Sequence, residues 1–180
     1  MKGPKPIVEI AATGRFLPDN VVTNFDLAKM VDTNDEWIRQ RTGIVERRIA
    51  PKEMGAADMG VGASLVAMER AGVAPGEIDL IVVSTATPDR LLPSTACDIQ
   101  AILGAKNAAA YDVSAACTGF IYALEIAEGH IAAGRAEIAL VISTEKMSGI
   151  VDWGDRSTCV LFGDGAGAAI VRKAENGRGM

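Results

Sequence analysis

Asp112-Val-Ser-Ala-Ala-Cys117-Thr-Gly-Phe-Ile-Tyr-Ala-Leu124 joins a strand, a bend and the start of a helix in one short run. The apolar strand spans Ala108 to Val113. Three small residues follow, and a long apolar helix is expected from Cys117 to Ala133, ended by Gly134. The cysteine therefore stands where the helix begins. The first backbone N–H groups of a helix lack internal partners, and the helix dipole places partial positive charge there. A thiolate is stabilised by that field, which makes a cysteine at this position a candidate nucleophile. Ser114, Ala115 and Ala116 are small enough to let a substrate approach, and Gly119 keeps the first turn open. The competing reading is a buried structural cysteine at a tight turn, since free cysteine is among the most buried residue types.

Outward from this segment, the pattern alternates strands and helices. Ile7 to Thr13 reads as a first strand. Asn24 is placed to cap a short helix, Phe25 to Val31. Thr33-x-x-Glu36 has the form of a capping box opening a second helix that Gly43 ends. Gly55 to Ala71 is a helix stopped by Gly72. Asp79-Leu-Ile-Val-Val-Ser84 is an apolar run of the kind expected for a strand buried on both faces. Pro93-Ser94 opens a helix over Thr95 to Leu103 with Gly104 at its end. Ile138 to Ser143 is again a wholly apolar strand. Thr144 to Ser157 reads as a polar loop, and Cys159 to Val171 as two strands around an Asp-Gly turn. The helix after Cys117 carries few polar residues and is expected to be sandwiched. Doubly apolar strands with helical crossovers imply an α/β fold: a mixed, mostly parallel sheet with helices on both faces.

Composition narrows the function. The chain has 180 residues, 49% hydrophobic but only 4% aromatic, so its interior is built from small and aliphatic side chains. A net charge of −5 argues against a non-specific nucleic-acid partner. Three cysteines without paired spacing and a single histidine give no disulfide framework and no metal cluster, so no metal is expected, and a reducing, cytoplasmic location follows. No apolar run is long enough to span a membrane. Gly163, Gly165 and Gly167 do not open a helix, which removes a dinucleotide fingerprint. Trp37 and Arg41 lie four apart on one helix face. An aromatic plane beside a guanidinium can hold a purine and its phosphate, or it can be a solvent-facing cation–π pair.

Taken together, Val31-Asp-Thr-Asn-Asp-Glu-Trp37-Ile-Arg-Gln-Arg41-Thr-Gly-Ile, Leu80-Ile-Val-Val-Ser-Thr, Pro93-Ser-Thr-Ala-Cys97, Asp112 to Gly119 and Phe162-Gly-Asp-Gly-Ala-Gly-Ala168 resemble the β-ketoacyl-acyl-carrier-protein synthase III family. The resemblance implies the thiolase-like fold, with this chain (1–180) as its N-terminal half-domain. It implies a cytosolic homodimer that starts type II fatty-acid synthesis. An acyl group, acetyl in the simplest case, passes from acyl-CoA to Cys117. Malonyl-acyl-carrier protein then condenses with it, losing carbon dioxide, to give 3-oxoacyl-acyl-carrier protein. No cofactor is implied beyond coenzyme A as part of the substrate. Carried over residue by residue, Cys117 is the nucleophile. Thr33, Trp37, Arg41 and Arg156 meet the nucleotide end of coenzyme A. Met147 and Phe162 line the acyl pocket, and Leu92 reaches into a partner's pocket.

The family chain is about twice as long, and its catalytic histidine and asparagine lie in the second half. The one histidine here, His130, follows Cys117 by thirteen residues on the same helix, about 20 Å along the axis, and reads as an ordinary helix residue. Three expectations follow: a synthase half unable to condense alone, a non-catalytic subunit needing a second chain, or a related polyketide or quinolone condensing enzyme. A lone half is also expected to be poorly soluble or oligomeric.

Overall fold

The computed structural model describes residues 7–174 and 179–180. Residues 1–6 and 175–178 lie outside the described residues. In chain order the elements are β1 (Val8–Phe16), β2 (Val21–Thr23), α1 (Asn24–Leu27), α2 (Asp35–Thr42), β3 (Glu46–Arg48), α3 (Ala56–Ala71), β4 (Leu80–Ser84), α4 (Thr95–Leu103), β5 (Ala109–Val113), α5 (Gly119–Ala132), β6 (Ile138–Lys146) and β7 (Asp164–Lys173).

Five strands form one sheet in the order β1-β7-β6-β4-β5. β4 pairs parallel with both β5 and β6, whereas β7 runs antiparallel to β6 and to β1. Only β7 opposes the common direction, so the mostly parallel sheet expected from the sequence is what forms. β4 is buried at every position, as its unbroken Leu-Ile-Val-Val run requires. Alternate residues face opposite layers. Ile81, Val83, Leu140 and Ile142 pack with α3 and α4, and Leu80, Val82, Ala139 and Val141 pack with α5.

α3 uses glycine and alanine to sit close to the sheet. A Cβ at Gly14 of β1 would lie 2.5 Å from the backbone N of Ala67 in α3, so the strand and helix meet backbone to backbone. Gly43, Gly72 and Gly104 end their helices in the left-handed conformation, as their positions predict.

Several local expectations give way to tertiary context. Thr23, not Asn24, caps α1, in a reciprocal box with Asp26. Asn24 is instead fully buried and donates to Asp35 Oδ1 and the Ile44 carbonyl, each at 2.8 Å. Asn34, one residue beyond Thr33, caps α2 by accepting from the Trp37 N–H at 2.8 Å. The expected hairpin at Cys159–Val171 is a single strand, β7, preceded by turns. Both edges of β7 are occupied by β1 and β6, which leaves no edge for a partner strand from Cys159–Phe162. β6 continues through Lys146 rather than stopping at Ser143, because Thr144, Glu145 and Lys146 pair with Ala166, Gly165 and Asp164. α5 is not sandwiched within this chain: one face meets the sheet, while Ile121 and Tyr122 on the other are exposed.

Candidate active site at the strand ends

β4, β5 and β6 are parallel, so their C-terminal ends share one edge of the sheet, and β7 begins at the same edge opposite Lys146. The loop after β4 carries Leu92, the bend after β5 carries Cys117, the turn after β6 carries Met147, and Phe162 lies two residues before β7. Topology thus gathers four residues picked from sequence at the carboxyl ends of the strands, where open α/β sheets bind ligands.

Cys117 is exposed, in a single 3-10 turn (Ala116–Thr118) that leads into α5. The regular helix starts two residues later than expected, at Gly119. Ala116, just before the cysteine, has φ 46°, in the left-handed region that only glycine adopts freely. A non-glycine residue held there stores strain, and such strain clusters at functional sites. Gly119 is buried against Ser84 at the end of β4, where a Cβ would overlap the serine hydroxyl. The bend is therefore pressed close to the sheet while the thiol faces outward. The alternative of a buried structural cysteine is not what the fold shows; that description fits Cys159, which is fully buried.

Carboxylates fix the surrounding loops. Asp112, in the motif itself, accepts from the Thr95 and Ala96 amides at 2.9 and 2.8 Å and so caps α4. Asp89 accepts from Ala56 N and Ala57 N at the start of α3. Glu145 accepts from Ala86 N at 2.8 Å and Thr87 Oγ1 at 2.6 Å, which anchors the Leu92 loop to β6. Beyond those anchors Leu91 and Leu92 are 89% and 85% exposed. Asp164 binds Ala50 N, Ser148 N and Ser148 Oγ, which holds the Met147 turn beside Phe162. Sequence reasoning missed these carboxylates as anchors, and the only local signal was their position at strand ends. Met147 is half-buried and Phe162 is 37% exposed; neither shares a buried cluster with Leu92.

A second group forms around Trp37. The guanidinium carbons of Arg41 and Arg156 lie 4.4 and 5.1 Å from its ring centroid. Arg156 donates to the Asp32 carbonyl at 2.8 Å, next to Thr33, whose buried hydroxyl has no partner. Thr33, Trp37, Arg41 and Arg156 are thus brought together from segments far apart in sequence. His130 is not part of either group: its Nε2 lies 3.5 Å from the Tyr111 hydroxyl on β5, a contact within the layer between α5 and the sheet. Cys117 lines none of the clefts of about 480, 730 and 390 Å³; the first lies beside the Leu92 loop, lined by Asp89, Arg90 and Lys146.

The sequence model of the family described as 3-oxoacyl-acyl-carrier-protein (ACP) synthase III matches residues 111–180, from β5 onward. The β-ketoacyl-acyl-carrier-protein synthase III of Oceanobacillus iheyensis is 57% identical over 173 residues, covering 96% of this chain and 55% of that protein. The chain matches an amino-terminal half of the β-ketoacyl-acyl-carrier-protein synthases III. The enzyme of the same name from Aquifex aeolicus is 56% identical over 168 residues, 93% of this chain and 54% of the relative. Its crystal structure superposes with a TM-score of 0.91, covering 94% of this chain and 55% of that one, which establishes the thiolase-like fold of the half. The priming β-ketosynthase of the R1128 polyketide pathway also matches, at 43% identity and a TM-score of 0.91, over 97% of this chain and 52% of that one. The chain thus spans about half the length of the curated synthase III relatives it matches. Among the described residues, no helix is long and apolar enough to cross a membrane, and no group of three or more metal-ligating side chains forms.

Proposed function

We propose that this chain is the acyl-accepting half of a β-ketoacyl-acyl-carrier-protein synthase III that takes an acetyl group from acetyl-CoA. The Cys117 thiolate attacks the thioester carbonyl, the tetrahedral oxyanion collapses, and coenzyme A leaves as its thiol after taking up a proton. The product is an S-acyl cysteine. Splitting a condensation into transfer and carbon–carbon bond formation lowers each barrier. The backbone N–H of Cys117 itself, in the bend leading into α5, is the donor this reading assigns to the oxyanion. In the second step malonyl-acyl-carrier protein loses carbon dioxide and its carbanion attacks the acyl cysteine. That step needs groups to polarise the malonyl carbonyl, and His130, turned to Tyr111 near the far end of α5, is not one of them.

The observation that carries the proposal is an exposed cysteine at a strained bend on the carboxyl edge of the sheet. Trp37 with Arg41 and Arg156 supplies an aromatic and cationic surface for the nucleotide end of coenzyme A, with Thr33 beside it. Met147 and Phe162 border the acyl site, and Leu92 projects from its anchored loop toward a second copy in a homodimer. The reaction belongs in the cytoplasm, where three free cysteines stay reduced.

Incubation with acetyl-CoA followed by peptide mass spectrometry tests the transfer step. An acetyl group on the Cys117 peptide, absent in Cys117→Ser, is the expected result. An unmodified Cys117, even with a full-length relative's second half supplied, sinks the proposal. A second reading draws on the likeness to a polyketide-priming ketosynthase: the same cysteine loaded with a longer or branched acyl group. Competition among acyl-CoA thioesters of different chain length separates the two.

A further inference from the structure

Arg47 is the most deeply buried cation in the described structure, at 5% exposure, and no carboxylate lies within ion-pair range of it. Its guanidinium spans three segments instead. Nη1 donates to Asn24 Oδ1 at 2.9 Å and to the Val22 carbonyl at 3.3 Å, and Nη2 donates to the Val160 carbonyl at 2.9 Å. Nε has no partner. Asn24 extends the chain of bonds to Asp35 Oδ1 in the first turn of α2 and to the Ile44 carbonyl just after that helix. Val160 lies four residues beyond Arg156, after a turn closed by the Cys159 N–H to Asp155 carbonyl bond at 3.0 Å. Above these polar bonds Leu27, Ile38, Cys159 and Val160 form a small apolar cluster against which Trp37 packs. Gly163 passes over β3 so closely that a Cβ there would lie 3.0 Å from Arg47 Cβ.

Resting on the reading of Trp37 as the nucleotide platform, we infer that Arg47, acting through Asn24, is a positioning residue for coenzyme A recognition. It clamps the α2 segment that carries Trp37 and Arg41 to the turn that carries Arg156. Stability alone is a poor account of such a residue. Removing a guanidinium from water is costly, and an apolar side chain of similar volume fills the same space without that cost. Neutral carbonyls repay only part of it, and burial pulls the Arg47 pKa below the ordinary arginine range. What the planar fork does that an aliphatic chain cannot is fix two backbone carbonyls and one amide in a set geometry. The two guanidiniums at Trp37 come from the two segments so joined, so a shift between them opens or closes the platform.

The test compares two acyl donors that differ only at the nucleotide end. Single-turnover acylation of Cys117 is followed by mass spectrometry with acetyl-CoA and with S-acetylpantetheine, which lacks the nucleotide. For Arg47→Gln the half-saturating acetyl-CoA concentration rises about tenfold, the worth of one to two charge-assisted hydrogen bonds. Its limiting rate, and the rate with the short thioester, stay within about twofold. Arg47→Lys, which keeps the charge but not the fork, recovers part of the loss. Asn24→Ala, which leaves Arg47 in place, moves the same parameter in the same direction. Equal slowing with both donors, or no change with either, overturns the inference. Loss of cooperative melting in both Arg47→Gln and Asn24→Ala assigns the network to folding and overturns it too. Trp37→Ala is the control for the platform itself. If that variant treats the two donors as the wild type does, the platform reading fails; if it discriminates and Arg47→Gln does not, only the clamp fails.

Discussion

Gly119→Ala probes how the cysteine bend is seated. Gly119 is helical, with φ −60° and ψ −37°, so its backbone accepts alanine without strain. On backbone entropy alone the change stabilises by about 0.4–1 kcal/mol. The new Cβ, however, overlaps Ser84 Oγ and lies 3.1 Å from Ser84 Cβ and 3.8 Å from Ala115 Cβ. Ser84 has little room to yield: it is 1% exposed and its backbone is paired on both sides, to Val113 and to Ser143. Overpacking of this kind costs about 1–3 kcal/mol. The expected net effect is a loss of about 0.5–2 kcal/mol, and Ser84→Ala, which deletes the clashing oxygen, should cancel it. The assay is urea unfolding followed by far-UV circular dichroism for both single variants and the double variant, with equal slopes required. The labelling rate of Cys117 by iodoacetamide, resolved by peptide mapping, reports whether the first turn of α5 has moved. An equal cost for Gly119→Ala in both backgrounds would refute the claim that the Ser84 hydroxyl sets the height of the bend.

Other perturbations follow from the same contacts. Asp89→Ala removes the acceptor for two orphan amides at the start of α3 and should cost about 1–2 kcal/mol, read from the urea midpoint. Asp35 has its pKa lowered by hydrogen bonds from Arg39 and then Asn24, and Asp155 by bonds from Ser157 and Thr158. A carboxylate depressed in the folded state adds stability above its unfolded pKa, and that stability fades as pH falls through the folded value. Melting temperature is therefore expected to be flat near neutrality and to drop below about pH 4, less steeply in Asp35→Asn. Leu91, Leu92, Ile121 and Tyr122 leave apolar surface open, so sedimentation should find this chain self-associated, with Leu91→Ser/Leu92→Ser shifting it toward smaller species. A monodisperse monomer would contradict that expectation.

The sequence by itself determined those features whose cause lies within a few residues. The unbroken Leu80–Val83 run makes a strand buried on both faces. Gly43, Gly72 and Gly104 stop their helices because they alone adopt the left-handed turn without cost. The small residues before Cys117 mark the bend that leads into α5, though the helix itself begins two residues later, and the ordered motifs were enough to point to a synthase III half. Capping was legible only to within one residue, because Thr23, Asn24, Thr33 and Asn34 are all competent caps and the packing of α1 against α2 chooses among them. Tertiary structure alone decided how distant groups meet. Asp164 reaches Ala50 across 114 positions and Arg47 reaches Val160 across 113. Nothing local separates such a side chain from a solvated one. The distinction arises when two loops are brought to the same sheet edge and their buried amides and carbonyls need partners. For the same reason Cys159–Phe162 is a turn and not a strand: β7 had already given both of its edges to β1 and β6.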